Sequence, residues 1–142
     1  MRLLRVVLKN YIGIFNGMGL RQLDIDFSKS IRPITVIKGD NGTGKSTLFK
    51  AITPLPDSSI EFMKGEPAYK LIVYGLDDGT ILYIEYISDI KSNGERSSMK
   101  ANIKRFYPST GDKINLNPNG NVTSAKEIIY NFFGTCYISI WI

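Results

Sequence analysis

Histidine is absent from the 142 residues, and cysteine occurs once, at Cys136. These absences exclude a Cys/His zinc site, an internal disulfide scaffold, histidine general bases and histidine-containing triads. With no partner base, Cys136 reads as a small buried apolar residue, and a lone cysteine fits a reducing compartment. No apolar run approaches the roughly 18–20 residues that cross a bilayer. The opening run through Leu8 stops at Lys9-Asn10, too short for a secretory segment, so a cytoplasmic or nucleoid-associated protein with no membrane span is expected. Glutamine occurs only at Gln22, and there is no heptad run, internal repeat or low-complexity segment.

What remains is ordinary globular composition, 43% hydrophobic and 22% charged, in a length that suits one domain. A net charge of +5 allows a polyanionic partner without requiring one. Leu4, Val6 and Leu8 alternate with Arg5, Val7 and Lys9, as in a half-buried strand. A turn is expected at Gly13–Gly19, then a second strand in which Leu23, Ile25 and Phe27 alternate with polar residues, pairing antiparallel with the first. Ile34-Thr35-Val36-Ile37 reads as a short strand buried on both faces. A helix over Ser46–Ile52 follows, stopped by Pro54 and Pro56.

Tyr69–Leu76 and Thr80–Ser88 flank Asp77-Asp78-Gly79, the pattern of a hairpin closed by a type I turn and a bulge. Ser98–Phe106 is a further strand with Met99, Ala101 and Ile103 on one face. After a turn at Asn117–Asn121, Ser124-Ala125-Lys126-Glu127 reads as a capping box. It would open a helix whose apolar face is Ile128, Ile129, Phe132 and Phe133, closed by Gly134. The eight tyrosines and seven phenylalanines are mostly assigned to the core. The hydrophobic end, Tyr137–Ile142, is expected to be covered by further chain.

Gly39-Asp40-Asn41-Gly42-Thr43-Gly44-Lys45-Ser46 satisfies G-x-x-x-x-G-K-[ST] at every fixed position. Such a loop exposes consecutive backbone N–H groups at the start of a helix, where they cradle phosphate oxygens. The expected ligands are ATP and Mg²⁺. Asn41, Gly42, Thr43 and Gly44 would supply the cradle and Lys45, the catalytic candidate, a charge to the β/γ-phosphates. Ser46 would hold the metal and Thr47 reach the α-phosphate. The bland alternative is a glycine-rich strand–helix connection with a solvated lysine.

The run Gly39–Thr47 resembles the G-x-N-G-x-G-K-S-T phosphate loop of SMC-like ATPases, a group that includes SbcC-type repair ATPases, SMC proteins and RecF-like proteins. Leu8-Lys9-Asn10-Tyr11, the strand Leu23–Phe27, Lys64-Gly65-Glu66 and the late helix ending Phe132-Phe133-Gly134 are similar in pattern and order. The resemblance implies an α/β fold: the antiparallel-rich N-terminal lobe of an ABC-type ATPase head, spanning residues 1–142 and ending before the Q-loop and coiled coil. It implies a C-terminal lobe bearing the signature motif, Walker B acid and catalytic glutamate, and a second head that shares two ATP molecules. DNA and a nuclease subunit are the implied partners, in double-strand-break repair or recombination. Hydrolysis would require the other lobe, and this chain alone would be inactive. Pro54-Leu55-Pro56 departs from the long helix common in the family and is more similar to phage and related bacterial versions.

Other readings stay open. One is an SMC- or RecF-like chromosome ATPase, another a basic DNA-binding module without catalysis. A small-molecule P-loop kinase is disfavoured because no arginine-rich lid is present. Ile81-Leu82-Tyr83-Ile84-Glu85 imitates a Walker B strand, but in a hairpin Glu85 reads as an edge-strand charge. Between Lys91 and Lys113 six basic residues face two acidic ones. Lys100, Asn102 and Lys104 share a polar face that would suit phosphate tracking or, preferably, a solvated edge strand. Lys9, Asn10 and Arg21 are assigned to the scaffold.

Overall fold

The computed structural model describes residues 1–29 and 36–134. Six strands form one sheet in the order β2-β1-β3-β4-β5-β6, and every neighbouring pair is antiparallel. They are β1 (Arg2–Lys9), β2 (Gln22–Asp26), β3 (Ala68–Gly75), β4 (Ile81–Ser88), β5 (Lys100–Tyr107) and β6 (Asp112–Asn115). Three α-helices, α1 (Ile12–Met18), α2 (Lys45–Ala51) and α3 (Val122–Phe133), and a short 3-10 turn at Ser59–Glu61 complete the described elements. Their buried residues Ile14, Leu48, Ala51, Ala125, Ile129 and Phe133 join Val6, Leu8, Ile72, Leu82, Ile84 and Ile103 in one cluster on one face of the sheet.

The alternation places the strands well. Val6 lies opposite both Ile25 and Ile72, and Leu8 opposite Leu23, as antiparallel pairing of the first two strands requires. The pairing of β1 with β3 shifts between Leu3 and Arg5, an irregularity that makes Leu4 an extra residue. Leu3, rather than the expected Leu4, therefore packs on the core. The β3–β4 hairpin closes as expected. The Gly79 amide donates to the Leu76 carbonyl (3.0 Å), Leu76 N–H donates to Thr80 O (2.8 Å), and Gly79 takes φ +81.

Four expectations are corrected. The segment read as a turn at Gly13–Gly19 is helical, because Tyr11 and Ile14 bury into the core three residues apart; Gly19, at φ 69, ends the helix. Of the expected strand over residues 34–37, Val36 and Ile37 are described and form none. Ile34 and Thr35 lie outside the described residues; Val36 and Ile37 belong to none of the described strands, and Val36 is 81% exposed. Neither β4 nor β5 is an edge: β4 lies between β3 and β5, and β6, which is exposed along its length and absent from the sequence reading, covers β5. Finally, α3 starts at Val122, capped by the Asn121 side chain accepting from Thr123 N–H (2.7 Å), not at the Ser124 box. The hydrophobic end and Cys136 lie outside the described residues.

Asn117 ties α3 to the sheet. Its side chain is buried, and its amide donates to Ala101 O (2.6 Å) and Asn121 O (3.0 Å). Asn117→Ala takes this donor from Ala101 O and removes one of two donors from Asn121 O, which Ala125 N–H still reaches beside the α3 cap. It is expected to cost about 1–3 kcal/mol, read from the denaturant midpoint.

Candidate phosphate-binding site

The loop ahead of α2 folds against itself. Thr43 Oγ1 donates to Asp40 O (2.8 Å), and Gly42 and Gly44 both sit at φ +82, a conformation that glycine adopts without strain. A Cβ on Gly42 would meet nothing within 4 Å, so the loop's outer side is open. The Gly44 carbonyl accepts the first helical bond of α2, from Leu48 N–H (3.0 Å).

Lys45 leads α2, and its Nζ donates to the carbonyls of Gly39 (2.6 Å) and Asp40 (2.5 Å). The ammonium is thus held across the mouth of the loop by weak neutral acceptors, which an anionic oxygen would displace. Among the described residues the Ser46 hydroxyl has no hydrogen-bond partner. A free hydroxyl beside the loop suits one position of a Mg²⁺ shell otherwise filled by water and phosphate oxygens.

A cavity of about 360 Å³ lies here. Its walls include Asn41, Gly42, Gly44, Lys45, Ser46 and Thr47 from the motif. Thr43, also predicted as a ligand, does not line it, since its hydroxyl is turned into the loop. Two wall residues come from α1, Gly13 and Asn16, which the sequence reading did not single out. The glycines at 13 and 17, four apart and hence on one helix face, are the signal that could have pointed to them. A larger apolar cavity of about 570 Å³ between Leu3, Ile52, Tyr74 and Phe133 lies away from the loop and offers no set of amide donors to a phosphate.

The segment leaving α2 is gripped by polar side chains on the core face of the sheet. Tyr74 OH donates to Ile52 O (3.1 Å), Tyr86 OH to Pro54 O (2.9 Å), and Lys70 Nζ to Leu55 O (2.7 Å) and Asp57 Oδ2 (2.9 Å). Tyr11, just before α1, donates to the same Asp57 oxygen (2.5 Å). Burial pushes the Lys70 ammonium below its usual value, opposed by Asp57, and raises the phenols of Tyr11, Tyr74 and Tyr86. The chains on both sides of the phosphate loop thus meet at one buried carboxylate.

The remaining candidates lie away from the loop. Glu85 alternates with the core-facing Ile84 and Tyr86, which puts it on the sheet face away from α2, out of reach of Ser46. There it accepts from Tyr69 OH (3.0 Å) and Asn102 Nδ2 (2.9 Å), and burial together with this bond pushes the Tyr69 phenol up to about 12. Arg96 donates to the carbonyls of Ser59, Met63 and Glu66, and Arg105 pairs with Asp78. Lys9 lies over the Tyr69 ring, Asn10 donates to Pro67 O and Arg21 pairs with Glu66. Lys100 is exposed and Lys104 half-buried on the same open face as Glu85. No group of His, Cys, Asp and Glu able to hold a metal occurs among the described residues, and no described helix is long and apolar enough to cross a membrane.

Comparison with known proteins agrees with the loop's chemistry. The family model of an AAA domain matches residues 5–55, from β1 through α2. It describes a P-loop ATPase family found in SMC- and SbcC-like proteins. The chain is also 34% identical over 88 residues to a Yersinia pestis protein named "Chelated iron transport system membrane protein YfeB". That alignment takes in 62% of this chain but 29% of the relative, so the chain spans under a third of that protein's length. Residues 5–55 thus carry the features of a nucleotide-binding P-loop ATPase domain within an α/β chain whose described sheet is antiparallel.

Proposed function

We propose that this chain is the nucleotide-binding lobe of an SbcC-like ATPase head, taking Mg²⁺-ATP at the Asn41–Thr47 loop. The observation that carries the reading is the juxtaposition of Lys45, free to leave two carbonyls, with the Gly42–Gly44 turn around an open cavity. The phosphate chain takes the place of the Gly39 and Asp40 oxygens as acceptor for Lys45, while loop amides donate to its oxygens. Thr47 completes the wall on the α-phosphate side. Ser46 would hold Mg²⁺, which would supply charge neutralisation to phosphoryl transfer. The water-orienting carboxylate comes from a second lobe, so hydrolysis belongs to the assembled head.

The work of such a head is on DNA, with a nuclease as partner. Lys100 and Lys104, on the sheet face opposite α2, support contact with a phosphate backbone, and Lys9 shares that face. Lys100→Glu with Lys104→Glu in the assembled protein is expected to weaken DNA binding and flatten its salt dependence; unchanged affinity and slope would remove DNA contact from this face. The nucleotide reading is tested by titrating the protein with a fluorescent ATP analogue in the presence and absence of Mg²⁺. Saturable, competable binding is expected, and its absence from the assembled head would refute the reading.

A further inference from the structure

We propose that Gly13 and Gly17 of α1 are positioning residues for the phosphate loop, setting the path of its backbone by close approach. The inference rests on the nucleotide-binding reading above and adds to it an element outside the motif. A Cβ built on Gly17 would lie 2.6 Å from Gly42 O and from Gly44 N, and closer still to the Thr43 carbonyl carbon. One on Gly13 would overlap Thr47 Oγ1 and come within 2.9 Å of Thr47 Cβ. The approach is mutual, since a Cβ on Gly44 would fall 2.8 Å from Gly13 O. The helix therefore touches the main chain at residues 42–44, where the loop's amides are offered, and the side chain of Thr47.

Rigidity decides which partner yields to added bulk. α1 is anchored at its start: Ile14 is buried, and the Tyr11 ring packs on Phe62 at 4.5 Å while its hydroxyl reaches Asp57. Asn10, ahead of the helix, donates its N–H to Arg21 O (2.8 Å) and accepts from Met63 N–H (2.7 Å). The loop has no comparable anchorage: Asp40, Asn41 and Gly42 are exposed, and its hydrogen bonds are largely internal. A methyl at position 17 thus displaces the loop and rotates the amides away from a common focus. At position 13 the obstacle is one side chain, which can turn aside.

The test measures ATP affinity and thermal unfolding of the full chain, in the assembled head, for Gly17→Ala, Gly13→Ala and a core control, Ile103→Val in β5. Displacing a preorganised loop by fractions of an ångström is expected to weaken ATP binding about tenfold or more in Gly17→Ala and a few-fold in Gly13→Ala. Ile103→Val should lower Tm yet keep both the affinity and the ATP-dependent rise in Tm. Should Gly17→Ala fail to fold, Gly13→Ala with its milder obstacle carries the same comparison. Retention of wild-type ATP affinity by whichever glycine variants fold overturns the positioning role. So does a loss of affinity in the core control equal to that in the glycine variants. Absence of ATP binding in the unmodified protein would instead remove the nucleotide reading itself.

Discussion

Lys70→Met is expected to destabilise the protein by about 3–5 kcal/mol, the cost of leaving a buried charge without its partner. Lys70 has no exposed surface, although it sits in a strand whose sequence offers no warning of a buried cation. Methionine can occupy much of the same volume, so little cavity cost is involved. What is lost is the ion pair to Asp57, whose side chain is 10% exposed, together with the bond to Leu55 O. Tyr11 OH alone then faces the carboxylate. Adding Asp57→Asn should recover part of the loss, because an amide tolerates burial better than a carboxylate. Urea unfolding of the two single variants and the double variant yields the coupling. A Lys70→Met cost below about 1 kcal/mol, the range of exposed ion pairs, would mean that Asp57 is effectively hydrated.

Lys45→Ala is expected to reduce Mg²⁺-ATP affinity by about 2–5 kcal/mol, roughly 30- to several-thousand-fold, which would place binding beyond ordinary detection. Its stability effect should be small. The ammonium is partly exposed, and its acceptors, Gly39 O and Asp40 O, lie in an open loop where water can replace it. The variant therefore separates ligand binding from folding: equilibrium binding should collapse while the denaturant midpoint stays near that of the unmodified protein. Equal ATP affinity in the variant would refute the role of Lys45.

The two variants bear on different levels of the same construction. Lys70 and Asp57 hold the chain that leaves α2, Tyr11 brings the start of α1 to the same carboxylate, and the loop lies between these anchors. A long-range hydrogen-bond cluster thus anchors the elements on either side of a loop that has few bonds of its own to the sheet.

Alternation made the antiparallel pairs legible, because a period of two puts Val6, Leu8, Leu23 and Ile25 on one face whatever their partners. The hairpin around Gly79 was legible for a local reason: three residues with a terminal glycine specify their own geometry. The turn ahead of α2 was legible because the spacing of glycine, lysine and serine specifies a loop that opens a helix; the cavity there is lined by Asn41, Gly42 and the residues from Gly44 to Thr47, but not by Thr43. Other features depend on contacts distant in sequence. The helix α1 contains two glycines that lower helix propensity, each by about 1 kcal/mol relative to alanine. Packing against the loop is what those positions accommodate; their four-residue spacing marks one helix face but not the partner that face meets. Lys70 lies in β3, where both strand faces carry apolar residues, so parity alone could not assign its side to the core. β6 is exposed at all four positions and has no apolar rhythm to find. Whether β5 lies at an edge depends on that unseen strand.

The central claim, that the Asn41–Thr47 turn receives a triphosphate, is tested most directly by backbone amide NMR of the protein titrated with Mg²⁺-ATP. The largest shifts should fall on the amides of Gly42, Gly44, Lys45 and Ser46, with smaller ones at Gly13 and Asn16 on the facing helix. Saturating ATP that leaves those amides unmoved, or moves a different surface instead, would contradict the account.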